Sequence, residues 1–160
     1  MVGGCNAASA PPPAARPAAA AVTGRVRIFL IAARDGGRSG RAAGCGDSVV
    51  PVEATLPAPA PALEGALRAL LARSDRVDPQ SGLYDPLYAS ALTLSGVERN
   101  GGEARVRLSG YVEVGDDCDA RRIRAQLEAT AQQFQGVDRA TFTVDGEPLD
   151  RLLAQAPALR

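Results

Sequence analysis

The sequence predicts an α+β fold, a single small domain in which a mixed β-sheet carries two helices packed on one face. Three observations predict it. Residues 92–108 alternate apolar with polar or charged side chains around Asn100-Gly101-Gly102, the pattern of a hairpin with one buried and one solvated face. Two further stretches, 63–71 and 123–134, repeat apolar residues at helical spacing. The hairpin lies between these helices, an order that suits helices layered on a sheet with some antiparallel pairs.

The elements follow in order. Residues 25–31, Arg-Val-Arg-Ile-Phe-Leu-Ile, alternate and then turn fully apolar, as a strand does when it enters from an exposed end. Residues 33–47 are rich in Gly and Arg and read as a loop. Residues 48–52 form a second short strand, which Pro51 confines to a sheet edge or to a brief extended stretch. A Pro/Ala run at 57–61 leads into the first helix, where Leu63, Ala66, Leu67, Leu70 and Leu71 make one stripe. Breakers at Asp78-Pro79, Ser81-Gly82 and Asp85-Pro86 make 74–90 a long loop. After the hairpin, Asp119 is the candidate N-cap of the second helix, with Ile123, Leu127, Ala131 and Phe134 on one face and Gly136 as its stop. Residues 139–144 form the closing strand, turned by Asp145-Gly146, and Leu149, Leu152 and Leu153 suit a short docked helix.

Residues 1–23 are dominated by Pro, Ala and small polar side chains and cannot bury enough surface to offset their ordering entropy. They are expected to form an extended tether, leaving 24–149 as the domain and 150–160 as a tail. Val2-Gly3-Gly4-Cys5 resembles a lipobox, whose cysteine is lipidated in bacterial lipoproteins; the charged and apolar stretches of an export signal are not among residues 1–4. The alternative is an incidental thiol in a polar tail.

Composition narrows the chemistry. All 18 basic residues are Arg and balance 18 acids, which argues against nucleic acid as a partner. The chain contains no His and no Lys. That removes Ser-His-Asp and Cys-His nucleophile activation, Schiff bases, the P-loop lysine and most zinc sites. No catalytic, cofactor or metal site is expected, and the chain is not expected to be an enzyme.

The 3 cysteines, Cys5, Cys45 and Cys118, have no CxxC spacing. Cys45 precedes the second strand and Cys118 the second helix, so both loops can meet at one rim of the sheet. A Cys45–Cys118 disulfide outside the cytosol is the favoured reading, with two free thiols as the alternative. Asp116, Asp117 and Asp119 around Cys118 are crowded at a helix start, which suits capping better than a patterned calcium loop. Glu53, Glu64, Asp85, Glu98, Glu103 and Glu113 include conceivable hydrolase pairs, yet no spacing singles one out. In the long loop, Tyr84, Leu87 and Tyr88 are candidates for partner binding, or else they pin the loop over the sheet.

Taken as an ordered set, the runs V-R-I-F-L at 26–30, G-C-G-D-S-V-V-P-V at 44–52, A-L-R-A-L-L at 66–71 and G-L-Y-D-P-L at 82–87 resemble the GerMN domain of sporulation and spore-germination lipoproteins. A-R-V-R-L-S-G at 104–110, the helical run at 122–134 and V-D-G-E-P-L at 144–149 extend the resemblance over 25–149. It implies a compact, exported, often lipidated α/β module with no catalytic site to carry over. The function expected is a non-catalytic interaction or assembly domain of the cell envelope, with envelope proteins as partners and a membrane anchor on Cys5. The alternative is an extracytoplasmic module for a small ligand or glycan, weakened by an aromatic content of 4% and the absence of Trp.

Overall fold

The computed structural model of the chain describes residues 21–56 and 58–155; Cys5 and the first 20 residues of the tether expected over 1–23 lie outside the described residues. The elements are β1 (Ala21–Val22), β2 (Arg25–Ala32), β3 (Arg41–Gly44), β4 (Asp47–Thr55), β5 (Ala60–Pro61) and α1 (Ala62–Leu71). They continue with β6 (Ala91–Asn100), β7 (Glu103–Tyr111), α2 (Asp117–Gln132), β8 (Arg139–Val144), β9 (Glu147–Pro148) and α3 (Leu149–Leu153).

The class is α+β, and the strands divide between two principal sheets. One is antiparallel, in the order β2-β4-β3; the other is mixed, in the order β6-β7-β8-β9, with β7 and β8 parallel around the α2 crossover. β1 and β5 form a separate short pair. The two sheets do not join through β2 because its outer edge is already occupied. There Phe29 donates its N–H to Thr130 Oγ1 of α2 at 3.3 Å, and Ile31 exchanges both backbone bonds with Tyr84. A helix and a loop satisfy the groups that another strand would otherwise pair.

The same alternation explains how Pro51 sits in a nine-residue central strand, contrary to the expected edge or brief stretch. Pro51 lies opposite Phe29, whose N–H points away from β4, so theirs is a non-hydrogen-bonded pair. The donor that Pro51 lacks would have pointed away from β2, past the end of β3, which pairs only with residues 47–49.

The core lies where α1, α2 and the inner faces of both sheets meet. Ile28 and Leu30 of β2, Leu67 and Leu70 of α1, and Ile123 and Leu127 of α2 are fully buried there. Each such side chain contributes about 1.5–3 kcal/mol through burial. In β7, Ala104, Val106 and Leu108 are buried between exposed Arg105 and Arg107, as the alternation requires. The stripe of α1 is buried apart from half-exposed Leu71, and α3 docks through Leu149 and Leu153.

Three turns share one backbone solution. At Gly101-Gly102, Asp145-Gly146 and Cys45-Gly46 both central residues have positive φ, the pattern that matches strand twist in two-residue hairpins. The third turn makes β3 and β4 a hairpin where a loop was expected. Helix α2 also starts earlier than expected: Asp116 is its N-cap, accepting from the Asp119 N–H at 2.8 Å, so Asp119 lies within the first turn.

Candidate functional site

The rim where the β3–β4 turn meets the start of α2 carries a connected polar network beside a disulfide. Cys45, at the tip of the turn with φ 54°, is disulfide-bonded to Cys118 in the first turn of α2, with Cα atoms 5.9 Å apart and a sequence separation of 73. Left-handed backbone costs a residue with a Cβ about 1–2 kcal/mol, which the surrounding hairpin and cross-link must offset.

Two residues beyond Cys45, Asp47 is fully buried, and its carboxylate accepts from the Arg34 N–H and from Arg122 Nε, each at 2.6 Å. Arg122 also donates through Nη1 to Asp119 at 2.9 Å, and Asp119 accepts from the Tyr84 hydroxyl at 3.2 Å. Burial, then the Asp119 carboxylate, pushes the Tyr84 phenol up to about 12, so it remains a neutral donor at physiological pH. A chain of charge-assisted bonds therefore runs from the disulfide-bearing turn through α2 to the long loop.

Within that loop the three candidate residues separate. Leu87 is only 4% exposed and belongs to the core, so it is not available to a partner in the folded state. Tyr84 is half-buried by its ladder with Ile31. Tyr88 is exposed, its ring centroid 6.3 Å from that of Tyr84, and Arg76 places its guanidinium 5.9 Å from Tyr84 and 5.6 Å from Tyr88. Arg76 and Tyr88 thus give the rim an amphipathic outer surface.

Asp85, between the tyrosines, faces inward and is fully buried. Its Oδ1 accepts from Gln126 Nε2 at 3.1 Å and from the Leu87 N–H at 3.0 Å, while Oδ2 lies 3.6 Å from Arg73 Nε. Burial pushes its carboxyl above the ordinary value despite these partners. Arg73 in turn binds Asp78 at 2.7 Å, and the hydrogen bonds from Ser81, then Arg73, hold Asp78 down to about 2.

The remaining carboxylates raised by the sequence are spread over the surface. Glu53 pairs with Arg25, Glu64 with Arg68, Glu98 with Arg107, and Glu103 with Arg105 and Arg139. Asp116, Asp117 and Cys118 bring three ligand-type atoms within 4.8 Å of one another. The Cys118 sulfur is committed to the disulfide and Asp116 to capping, which leaves a poor donor set for a cation.

Sequence reasoning did not single out Asp47, Arg122, Arg73 or Arg76. Among 18 arginines none carries a local mark, although the placement of Arg122 one turn after Cys118, on the same helix face, was a usable signal.

Residues 37–150 match the sequence profile of the Germane family, described as sporulation and spore germination. In structure the chain is similar to the first GerMN domain of the sporulation protein GerM from Bacillus subtilis, with a TM-score of 0.54 and 19% identity over 84% of this chain and 94% of that one. At that identity the likeness is one of fold. No curated protein matches the chain by sequence.

Proposed function

The chain belongs to the Germane family, described as sporulation and spore germination, and on that premise we propose that it is a non-catalytic interaction domain of the bacterial cell envelope, held at an extracytoplasmic membrane face through Cys5. The observation that carries this reading is the Cys45–Cys118 disulfide, because such cross-links persist in oxidising compartments and are rare in the cytosol. No helix among the described residues is long and apolar enough to cross a membrane; the lipobox-like run Val2-Gly3-Gly4-Cys5 is what supports attachment through a lipid on Cys5.

A binding role is supported by where the polar groups are directed. Asp47 and Asp85, the buried carboxylates, are engaged by Arg122 and Arg73 within the domain, and Glu53, Glu64, Glu98 and Glu103 each meet an arginine on the surface. The outward-facing Arg76 and Tyr88 have the composition of a contact surface instead.

Fractionation of cells carrying the gene with its upstream region tests the reading. The protein is expected in the envelope membrane fraction, and Cys5→Ser is expected to move it to the soluble extracytoplasmic fraction. Both forms appearing in the cytosol would contradict it.

A further inference from the structure

The open edge of β4 and helix α1 enclose a polar groove that the rim does not use. We infer that this groove receives an extended segment of a protein partner as an added β-strand, with a basic side chain of that segment set against Asp75. The inference rests on the interaction-domain reading and names a surface and a partner chemistry for it.

Strand β4 runs to Thr55, but β3 pairs with it only over residues 47–49, so residues 50–55 have, among the described residues, a strand neighbour, β2, on one side alone. The outward bonds of Phe29 and Ile31, and the bond from the Leu56 N–H to the Gly24 carbonyl, fix the alternation. The even-numbered residues Val50, Val52 and Ala54 exchange bonds with β2, while Pro51, Glu53 and Thr55 direct their backbone groups to the open side. Pro51 offers only a carbonyl; Glu53 and Thr55 each offer a donor and an acceptor. Among the described residues the backbones of Glu53 and Thr55 make no hydrogen bond outside the β2 ladder.

Pro51 and the exposed Glu53–Arg25 pair blunt this edge in part, but among the described residues no strand or helix pairs with the backbone groups of Glu53 and Thr55. The edge faces a groove of ≈ 620 Å³ whose opposite wall includes Ala69 of α1, Arg73 just beyond that helix, and the loop residues Asp75 and Ser81. Residues 50–55 span roughly 17 Å, enough for a partner strand of about five residues. The wall is set before any partner arrives. Arg73 holds Asp78 at 2.7 Å, and Ser81 donates to Asp78 through its N–H at 2.8 Å and its hydroxyl at 2.7 Å. A preformed wall lowers the ordering cost of binding.

Charge selects the partner. Arg73 is already engaged by Asp78 and Asp85, and Arg25 by Glu53. Asp75 is in no ion pair among the described residues, so the groove carries an unbalanced negative charge at this point. A lysine or arginine on the incoming strand complements it; an acidic one does not.

The test uses the full chain with its disulfide intact and synthetic Thr/Val pentapeptides whose central residue is Arg, Ala or Glu. Amide shifts are followed by NMR. The Arg peptide is expected to move the Glu53 and Thr55 amides and to give inter-strand contacts to them, and the Glu peptide is expected not to. Glu53→Pro removes an outward donor and is expected to weaken the Arg peptide by about tenfold. Asp75→Asn, on the loop wall, is expected to do the same and covers the case in which the proline variant fails to fold. Binding unaffected by Asp75→Asn, or edge shifts that follow protein concentration instead of peptide, would overturn the inference, the latter by making a second copy the occupant. If peptides leave the edge untouched while Tyr88→Ala abolishes envelope interactions, the groove assignment fails and the interaction-domain reading stands.

Discussion

Arg122 on α2 donates its Nε to Asp47 on β4 at 2.6 Å across 75 positions of chain, and Asp47 is fully buried. The disulfide joins the same turn to the same helix two residues from Asp47 and four from Arg122. The rim is therefore fastened twice, once covalently and once by charge.

Removing the guanidinium leaves a buried carboxylate with only the Arg34 N–H to satisfy it. Arg122→Ala is expected to cost about 3–5 kcal/mol in urea unfolding under oxidising conditions. Arg122→Lys is expected to fall between, since an ammonium lacks the fork that spans Asp47 and Asp119. A cost below about 1 kcal/mol for the alanine variant would contradict the assigned role.

Loss of the cross-link is expected to cost about 4 kcal/mol, given the 73 positions it spans. The left-handed backbone of Cys45 adds a finer expectation. The pair Cys45→Gly with Cys118→Ala is expected to be more stable than Cys45→Ala with Cys118→Ala by about 1 kcal/mol, because glycine carries no penalty at positive φ. Equal denaturation midpoints would show that this turn relaxes once the bond is gone.

Asp85 sets a pH dependence whose sign follows from its raised carboxyl. The folded state binds this proton more tightly than the unfolded chain does. Its contribution to stability is thus fully present below the ordinary value of 3.8 and is lost as pH rises through the folded value. Asp85→Asn removes that term, so the stability of the native protein relative to the variant is expected to improve as pH falls through this window. Parallel stability curves for the two proteins would rule it out.

Two neighbours in the long loop are expected to divide packing from recognition. Leu87→Ala is expected to cost about 2–5 kcal/mol because its side chain is in the core. Tyr88→Ala is expected to change stability by less than about 0.5 kcal/mol and to weaken capture of envelope partners. Melting curves and affinity capture with each variant distinguish these roles, and retained capture by Tyr88→Ala would exclude the ring from recognition.

The elements with local signatures were legible in the sequence. The 91–111 hairpin, the α1 stripe and the closing strand each follow from periodicity and turn residues that act over a few positions. The β3–β4 hairpin was not, because Cys45-Gly46 is not among the usual Asn-Gly or Asp-Gly turn signals and Arg41-Ala42-Ala43-Gly44 has weak strand propensity. The division into two sheets was hidden for a different reason. It depends on Thr130 and Tyr84 capping the edge of β2, contacts separated by 101 and 53 positions that no local pattern encodes. The cysteines of the rim could be named from the sequence; the buried charges that brace it could not.

Thiol trapping in intact producer cells tests the central claim most directly. Alkylation before lysis, followed by mass spectrometry of the folded protein, is expected to leave Cys45 and Cys118 unmodified until a reductant is added. Full alkylation of both residues without reductant would contradict an oxidised rim, and with it the placement of this domain outside the cytoplasm.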